Sequence, residues 1–214
     1  MKNVSISATG SNLNKRRTQE ERKAESQRKI IQAARELFAQ QGYMRTTLNQ
    51  VGAAAGYTGG LVSHRFGSKK DLLKAVVTHI SSRFLTDQLK PSIETGSAEQ
   101  AIRNYIEVYL KELTARENHM RALYVIMGEA IGAVPEIRDE IALLNRRARR
   151  LLEDLVKQGI STGEFNNNND PKAASILILG MLRGITMQAL IDRKSINLHH
   201  LTPLVQRQVI IGLS

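Results

Sequence analysis

The chain of 214 residues contains no cysteine and only four prolines. The absence of cysteine excludes a disulfide scaffold, a thiolate zinc site, an iron–sulfur cluster and a cysteine nucleophile, and it fits a reducing compartment. Four prolines and fifteen glycines exclude a collagen-like chain or a proline-rich linker. Long apolar runs are scarce too. The longest, Ala173 to Leu182, stops at Arg183 and falls short of the roughly 20 residues needed to span a bilayer. The segment Met1–Arg17 has no apolar h-region, so neither secretion nor membrane insertion is expected, and Asn3-Val4-Ser5 carries no meaning as a sequon. The expected location is the cytoplasm.

Enzyme signatures are equally sparse. No H-E-x-x-H, E-x-x-H or phosphate loop occurs. Gly159-Ile160-Ser161-Thr162-Gly163 fits G-x-S-x-G, but a nucleophile elbow needs a strand before it and a helix after it. Here a charged helical segment precedes and a polar loop follows, which reads as a helix end. His199-His200 has no third ligand beside it. Neither catalysis, nor a metal site, nor a cofactor is expected.

What the chain has is positive charge, unevenly placed. Its formal net charge is +11. Residues 1–90 hold sixteen basic against six acidic side chains, and residues 91–214 hold fifteen against fourteen. A charge excess confined to one segment points to a polyanion there, most often nucleic acid. A basic tail serving solubility is the alternative, but residues 1–17 hold only four of the basic groups.

With 42% hydrophobic and 24% charged residues the chain reads as globular. Periodicity makes it all-α, with about nine helices and no internal repeat. Residues 1–17 read as a disordered basic arm. Thr18-Gln19-Glu20-Glu21 is a capping box, followed by Ile30, Ile31, Ala34, Leu37 and Phe38 at helical spacing, with Gly42 as the stop. Thr47 caps a short helix to Ala55; Gly56-Tyr57 breaks it, and Thr58 caps another to Phe66. Capping boxes at Ser68–Asp71 and Ser97–Gln100 open longer helices, the first closed by Pro91. Further helices are predicted at roughly 119–131, 136–161, 171–193 and 202–213, with Pro171 and Pro203 each at a first helical position. Arg146, Arg147, Arg149 and Arg150 read as a solvated face pairing with Glu153 and Asp154. The division expected is an arm 1–17, a head 18–67, a connecting helix 68–90 and a body 91–214.

The stretch 47–66 has the layout of a helix-turn-helix. Gly56 supplies the tight turn, and Val51, Ala55, Val62 and Phe66 lock the two helices together. At 100° per residue, Val62 and Phe66 define the inward side of the second helix. Gly60, Leu61 and His64 then point outward, with Ser63 and Arg65 on the flanks. Hydrogen-bonding groups, an apolar contact and a position without a side chain make a plausible major-groove surface. An ordinary helical hairpin in a bundle is the alternative.

The run from Ile31 to Leu73 resembles the DNA-binding region of the TetR/AcrR family of bacterial transcription regulators. Leu37-Phe38, Gly42-Tyr43, Thr46-Thr47, Gly56, Gly60, Phe66, Lys69 and Leu72-Leu73 sit at the family's marked positions. Thr58 to Phe66 is similar to the recognition helix of the choline-responsive BetI branch. Gly52 departs from the usual alanine, and Ser63 and Arg65 from the usual Tyr and Tyr or His. The resemblance implies a homodimer on a palindromic double-stranded operator. Thr47 and Lys69 match phosphate-contacting positions, and Thr58, Gly60, Ser63, His64 and Arg65 match the reading helix.

The resemblance also implies a helical body that binds a small-molecule effector and dimerises through its last two helices. Leu177, Gly180, Met181 and Gly184 are the candidate interface, since two glycines one turn apart permit close helix approach; a buried helix of a monomer is the alternative. Tyr105, Tyr109, His119, Tyr124, Met127, Arg183 and Gln188 are candidate cavity residues, with core filling as the alternative for each. The function these readings favour is a repressor released from its operator by a small-molecule effector, with residues 68–90 relaying the change. The alternatives are an activator, a non-specific DNA-binding protein, and a helical-bundle enzyme.

Overall fold

The computed structural model describes residues 18–82, Phe84, Leu89, Ile93 and 96–214. The arm 1–17 and the stop at Pro91 fall outside them. Among the described residues there are nine α-helices and no strand. They are α1 (Gln19–Arg45), α2 (Leu48–Ala55), α3 (Gly59–Phe66), α4 (Lys69–Ser82), α5 (Ala98–Ala115), α6 (Glu117–Ile131), α7 (Arg138–Ser161), α8 (Pro171–Ile191) and α9 (Leu198–Leu213), with a 3-10 turn at Pro135–Ile137 before α7.

Local chemistry sets most of these ends. Thr18 and Glu21 cap each other reciprocally, as do Thr47 and Gln50. The Ser68 and Ser97 hydroxyls accept from the amides of Asp71 and Gln100 at 3.0 and 3.1 Å. Asp170 caps α8 through the amides of Lys172 and Ala173, with Pro171 at the first helical position as predicted.

Two ends differ from the sequence reading. Gly42 does not end α1: it breaks the helix at φ 82°, and one more turn runs on to Arg45. The last helix begins at Leu198 rather than at 202, because Asn197 accepts from the His200 amide at 3.1 Å and nucleates the turn earlier. Pro203 therefore lies inside α9. It leaves the carbonyl of the exposed His199 without its helical donor, which water can replace there.

The buried side chains form two clusters. One holds Ile30, Phe38, Val51, Val62, Leu72, Leu73 and Val76 of α1–α4, together with Ala122, Ile126 and Ala130 of α6 and Ile137 and Ile141 beyond it. The other holds Ile102, Ile106, Leu110 and Leu113 of α5, Leu152 and Val156 of α7, Leu179 and Leu182 of α8, and Val209 and Ile210 of α9. The four N-terminal helices thus do not close their core by themselves.

Helix α8 is long and apolar enough, by length and composition, to cross a membrane, which the shorter run counted from the sequence did not suggest. One of its faces, through Ser175, Leu179, Leu182 and Thr186, is buried against the body. Among the described residues, Arg146, Arg147, Arg149 and Arg150 form no ion pair with Glu153 or Asp154, against the expectation, and Glu153 binds Lys157 at 2.6 Å.

The body is tied at its base by one carboxylate. Glu164 accepts from the amides of Glu99 and Ala98 at 2.9 and 3.1 Å, satisfying orphan donors at the start of α5. The Glu99 amide is the chief cause that holds this carboxyl below its ordinary value of 4.5. A depressed folded pKa gives stability that is complete above the unfolded value and lost as pH falls through the folded one. Glu164→Gln should therefore lower the urea midpoint at about pH 7, and its difference from wild type should shrink below about pH 4.5. A difference that stays constant down to acid pH would assign the effect to packing.

Candidate DNA-reading surface and effector cavity

Helices α2 and α3 cross closely because glycines stand where they meet. Gly56 turns the chain in the left-handed region at φ 77°, ψ 29°. A Cβ on Gly52 would lie 2.6 Å from the carbonyl carbon of Thr58, so the alanine usual in the family does not fit this crossing. Gly59 is closed in by Asn49 of α2 in the same way. Gly60 differs: only the Thr58 hydroxyl lies near, 3.8 Å from where a Cβ would be, and its outer side is open. Of the two adjacent glycines, the first serves the packing and the second leaves the surface bare.

Val51 and Val62 are fully buried between the helices, as the sequence predicts. On the opposite side, Thr58, Gly60, Ser63 and His64 are exposed, and Leu61 and Arg65 are half-buried. Arg65 is drawn inward, with its Nε buried and without a hydrogen-bond partner. The exposed Thr47 caps α2, its hydroxyl accepting from the Gln50 amide and donating to the Gln50 side chain, both at 3.2 Å. Among these residues, Gly60, Leu61, Ser63, His64 and Arg65 share α3, Thr58 caps its start, and Thr47 caps the start of α2.

Lys69 is less free than the sequence implies. Its ammonium donates to the Met44 carbonyl at 3.0 Å and lies 4.4 Å from the centre of the Tyr43 ring. Burial pushes the Lys69 amine below the ordinary lysine value, with Glu129 and Glu136 opposing the shift. Of its three N–H donors, one is committed to the Met44 carbonyl.

The same turn is held from the body. Glu129 of α6 accepts from the amides of Tyr43 and Met44 at 2.7 and 3.1 Å. The glycine at 42 makes room for it, since a Cβ there would lie against the Glu129 carboxylate, and its positive φ turns the two amides outward. Sequence reasoning missed Glu129. Nothing in the sequence marked it, because its partners are backbone amides far away in the chain.

A cavity of about 70 Å³ lies between α4 and the body helices α5–α8. Tyr105, Tyr109, His119 and Arg183, four of the seven candidates, line it. Tyr124 stands behind the wall, its hydroxyl 3.1 Å from that of Tyr109 and 3.3 Å from the Arg183 carbonyl. Burial, first of all, raises the phenols of Tyr105, Tyr109 and Tyr124. The other two candidates are elsewhere. Met127 packs against the core of the head, and Gln188 is exposed on the outer face of α8. Both were chosen for their place on a middle helix, and the rotation of each helix turns them away. The lining also includes Phe84, Glu112, Leu123 and Arg147, which the sequence reading did not place there.

On α8, Leu177, Gly180, Met181 and Gly184 are all exposed, and a Cβ on either glycine would meet nothing within 4 Å. Ser161 of the G-x-S-x-G match donates to the Gln158 carbonyl at 2.8 Å in the last turn of α7. That is a helix end with no strand before it.

A two-helix reader with an open outer face, built into an all-helical chain with a cavity in its body, defines a helix-turn-helix DNA-binding regulator. The model for bacterial regulatory proteins of the tetR family matches residues 30–76, and that for the tetracyclin repressor-like C-terminal domain matches residues 95–187. The chain is 30% identical over 187 residues to the HTH-type transcriptional regulator CymR of Pseudomonas putida, covering 82% of this chain and 85% of that protein. It is 23% identical over 166 residues to the fatty acid metabolism regulator protein of Bacillus subtilis, covering 77% of this chain and 84% of that one. Among solved structures, FadR from Bacillus subtilis in complex with stearoyl-CoA shares the fold at a TM-score of 0.78 and 20% identity, covering 87% of this chain and 99% of that one.

The chain belongs to the TetR family of bacterial regulatory proteins. It is a transcriptional regulator and not an enzyme. The likeness of Thr58–Phe66 to the choline-responsive branch rests on those nine residues and gains nothing from these relatives.

The Glu129 carboxylate is the polar joint between head and body. Glu129→Ala leaves two amides without their acceptor and should cost about 1–3 kcal/mol. Denaturation in urea should show it as a lower midpoint, with Glu129→Gln intermediate. An unchanged midpoint in both variants would mean that water replaces the carboxylate at no cost.

Proposed function

We propose that the chain is a cytoplasmic repressor, acting as a homodimer on a palindromic operator and released by a small-molecule effector in the body cavity. The head 18–67 reads DNA, residues 68–90 connect it, and the body 91–214 dimerises and binds the effector. The observation that carries this reading is the open face of α3. Thr58, Gly60, Ser63 and His64 lie on one exposed surface while Val62 is buried behind them. In this reading Ser63 and His64 meet base edges, Leu61 an apolar base group, and Arg65 a base at the flank once its guanidinium swings outward. Gly60 lets the backbone approach, and Thr47, Lys69 and the arm 1–17 hold phosphates.

The pairing of heads is supported by apolar surface that the monomer leaves uncovered. Leu177 and Ile191 of α8 are 70% and 81% exposed, and Ile211 of α9 is 62% exposed. With Met181 and the bare backbone at Gly180 and Gly184, these make a surface on which a second copy's α8 and α9 pack. Two heads about one helical turn apart, roughly 34–36 Å, then double the readout.

Release follows from linkage: an effector that prefers the conformation with mis-spaced heads lowers operator affinity by that preference. Two elements run from the cavity wall to the head. Helix α4 contributes Ile80 and Ser81 to the lining, and α6 contributes His119 and Met120 at one end while holding Tyr43 and Met44 through Glu129 at the other.

Footprinting on DNA upstream of the protein's own gene should give a two-fold symmetric protected site. The double variant Ser63→Ala, His64→Ala should lose roughly 10- to 100-fold in affinity for that site, with far less loss on random DNA. Equal loss on both would remove α3 from the role of reader.

The dimer has its own test. Leu177→Glu places a charge in the paired surface and should shift sedimentation toward the monomer with loss of operator binding. A dimer retaining wild-type affinity would move the interface elsewhere.

A further inference from the structure

The body cavity is apolar over most of its wall, with three charged side chains, Glu112, Arg147 and Arg183, in its lining, and the two arginines lack a counter-ion among the described residues. Phe84, Tyr105 and Tyr109 form an aromatic side, their rings 5.9–6.2 Å apart, and Met120, Leu123 and Leu179 line the rest of it. Into this wall projects Arg183 of α8, which is half-buried. Its guanidinium donates to the side-chain oxygen of Asn145 at 2.7 Å and bears on the Tyr109 hydroxyl, both neutral groups. Among the described residues no carboxylate lies within ion-pair distance of Arg183, nor of Arg147, which lines the same cavity. The one acid in the wall, Glu112, is turned to Arg116 at 4.0 Å, outside the lining.

A guanidinium partly withdrawn from water without an anion is unfavourable, and apolar surroundings raise both that cost and the gain from an anion placed beside it. Arginine's planar fork suits a carboxylate, which it can hold through two parallel hydrogen bonds. A neutral ligand would fill the apolar space and leave the charge uncompensated. A cationic ligand would add repulsion to it.

We propose that the effector is an organic anion with a short apolar body and a carboxylate, its body against the Phe84–Tyr105–Tyr109 side and its carboxylate on Arg183. This rests on the cavity being the effector site. The cavity volume of about 70 Å³ is below the 300–1,000 Å³ of ordinary ligand pockets, so such a ligand is accommodated only as the wall gives way. Met120, a flexible thioether on α6, is the side chain best able to yield.

Calorimetric titration of the full chain without DNA tests the proposal, and it keeps failure here separate from failure of operator reading. The probes are octanoate and 4-ethylbenzoate, each beside its primary amide. Either acid should bind at least tenfold more tightly than its amide. In Arg183→Gln that ratio should fall toward one, and Arg183→Lys should restore part of it. Octanoyl-CoA distinguishes a free carboxylate from an acyl thioester whose phosphates supply the charge. Tighter binding of the thioester than of octanoate, or equal binding of acids and amides by the wild-type chain, would overturn the assignment. So would an acid preference that survives in Arg183→Gln.

Discussion

One fifteen-residue helix with two apolar faces governs the arrangement of the whole molecule. Ala122, Ile126 and Ala130 of α6 enter the core of the head, while Met120 and Leu123 turn toward the body and its cavity. The head needs this contribution. Its two reading helices are eight residues each, far below the length at which a helix holds together in water by itself. They are ordered by burial of Val51 and Val62 against α1 and α4, and that core is completed by side chains more than fifty residues away in sequence. Reader and cavity are therefore not independent bodies joined by a linker. A displacement of α6 repacks both, because close-packed interiors move between discrete arrangements rather than deform smoothly.

The polar contacts at this junction follow from the same geometry. Breaking α1 at Gly42 exposes amides that have no helical partner, and a carboxylate from α6 satisfies two of them. On the far side of the turn, Lys69 at the start of α4 takes the Met44 carbonyl. Residues 43–44 are thus held from two elements that both reach the cavity wall, by an acid on one side and an amine on the other. An alanine at 42 would strain the backbone and collide with Glu129. The glycine that reads as a helix terminator in sequence is better understood as the seat of an inter-helix contact.

What could be read from sequence followed the range of the forces involved. Capping boxes, the Gly56 turn and the inward side of α3 depend on neighbours within four residues, and Thr18, Thr47, Thr58 and Val62 lie where their spacing puts them. The start of α9 was misplaced because proline is a conspicuous marker and Asn197 a quiet one. The reading helix could be oriented because Val62 and Phe66 fix its phase. No comparable anchor fixed the middle helices, so Tyr105, Tyr109, His119 and Arg183 fell on the cavity and Met127 and Gln188 did not. Glu129 was invisible for a different reason. Its partners are backbone amides, which carry no sequence signal, more than eighty residues away.

Energetic scale connects these contacts to control of DNA binding. Coupling between two sites in a protein is typically 1–3 kcal/mol, enough for a 5- to 150-fold change in affinity. A carboxylate accepting from two otherwise orphaned amides is worth the same order. A regulator of this design has no need to unfold or to disrupt a core in order to respond. A difference in the hold of Glu129 on Tyr43 and Met44 between two states would be large enough to cover that range. The excess positive charge, concentrated in the first ninety residues, would then set the background affinity on which that modest difference acts. In the proposed reading, charge brings the head to DNA of any sequence, the exposed face of α3 chooses among sequences, and the junction at Gly42 ties that head to α6.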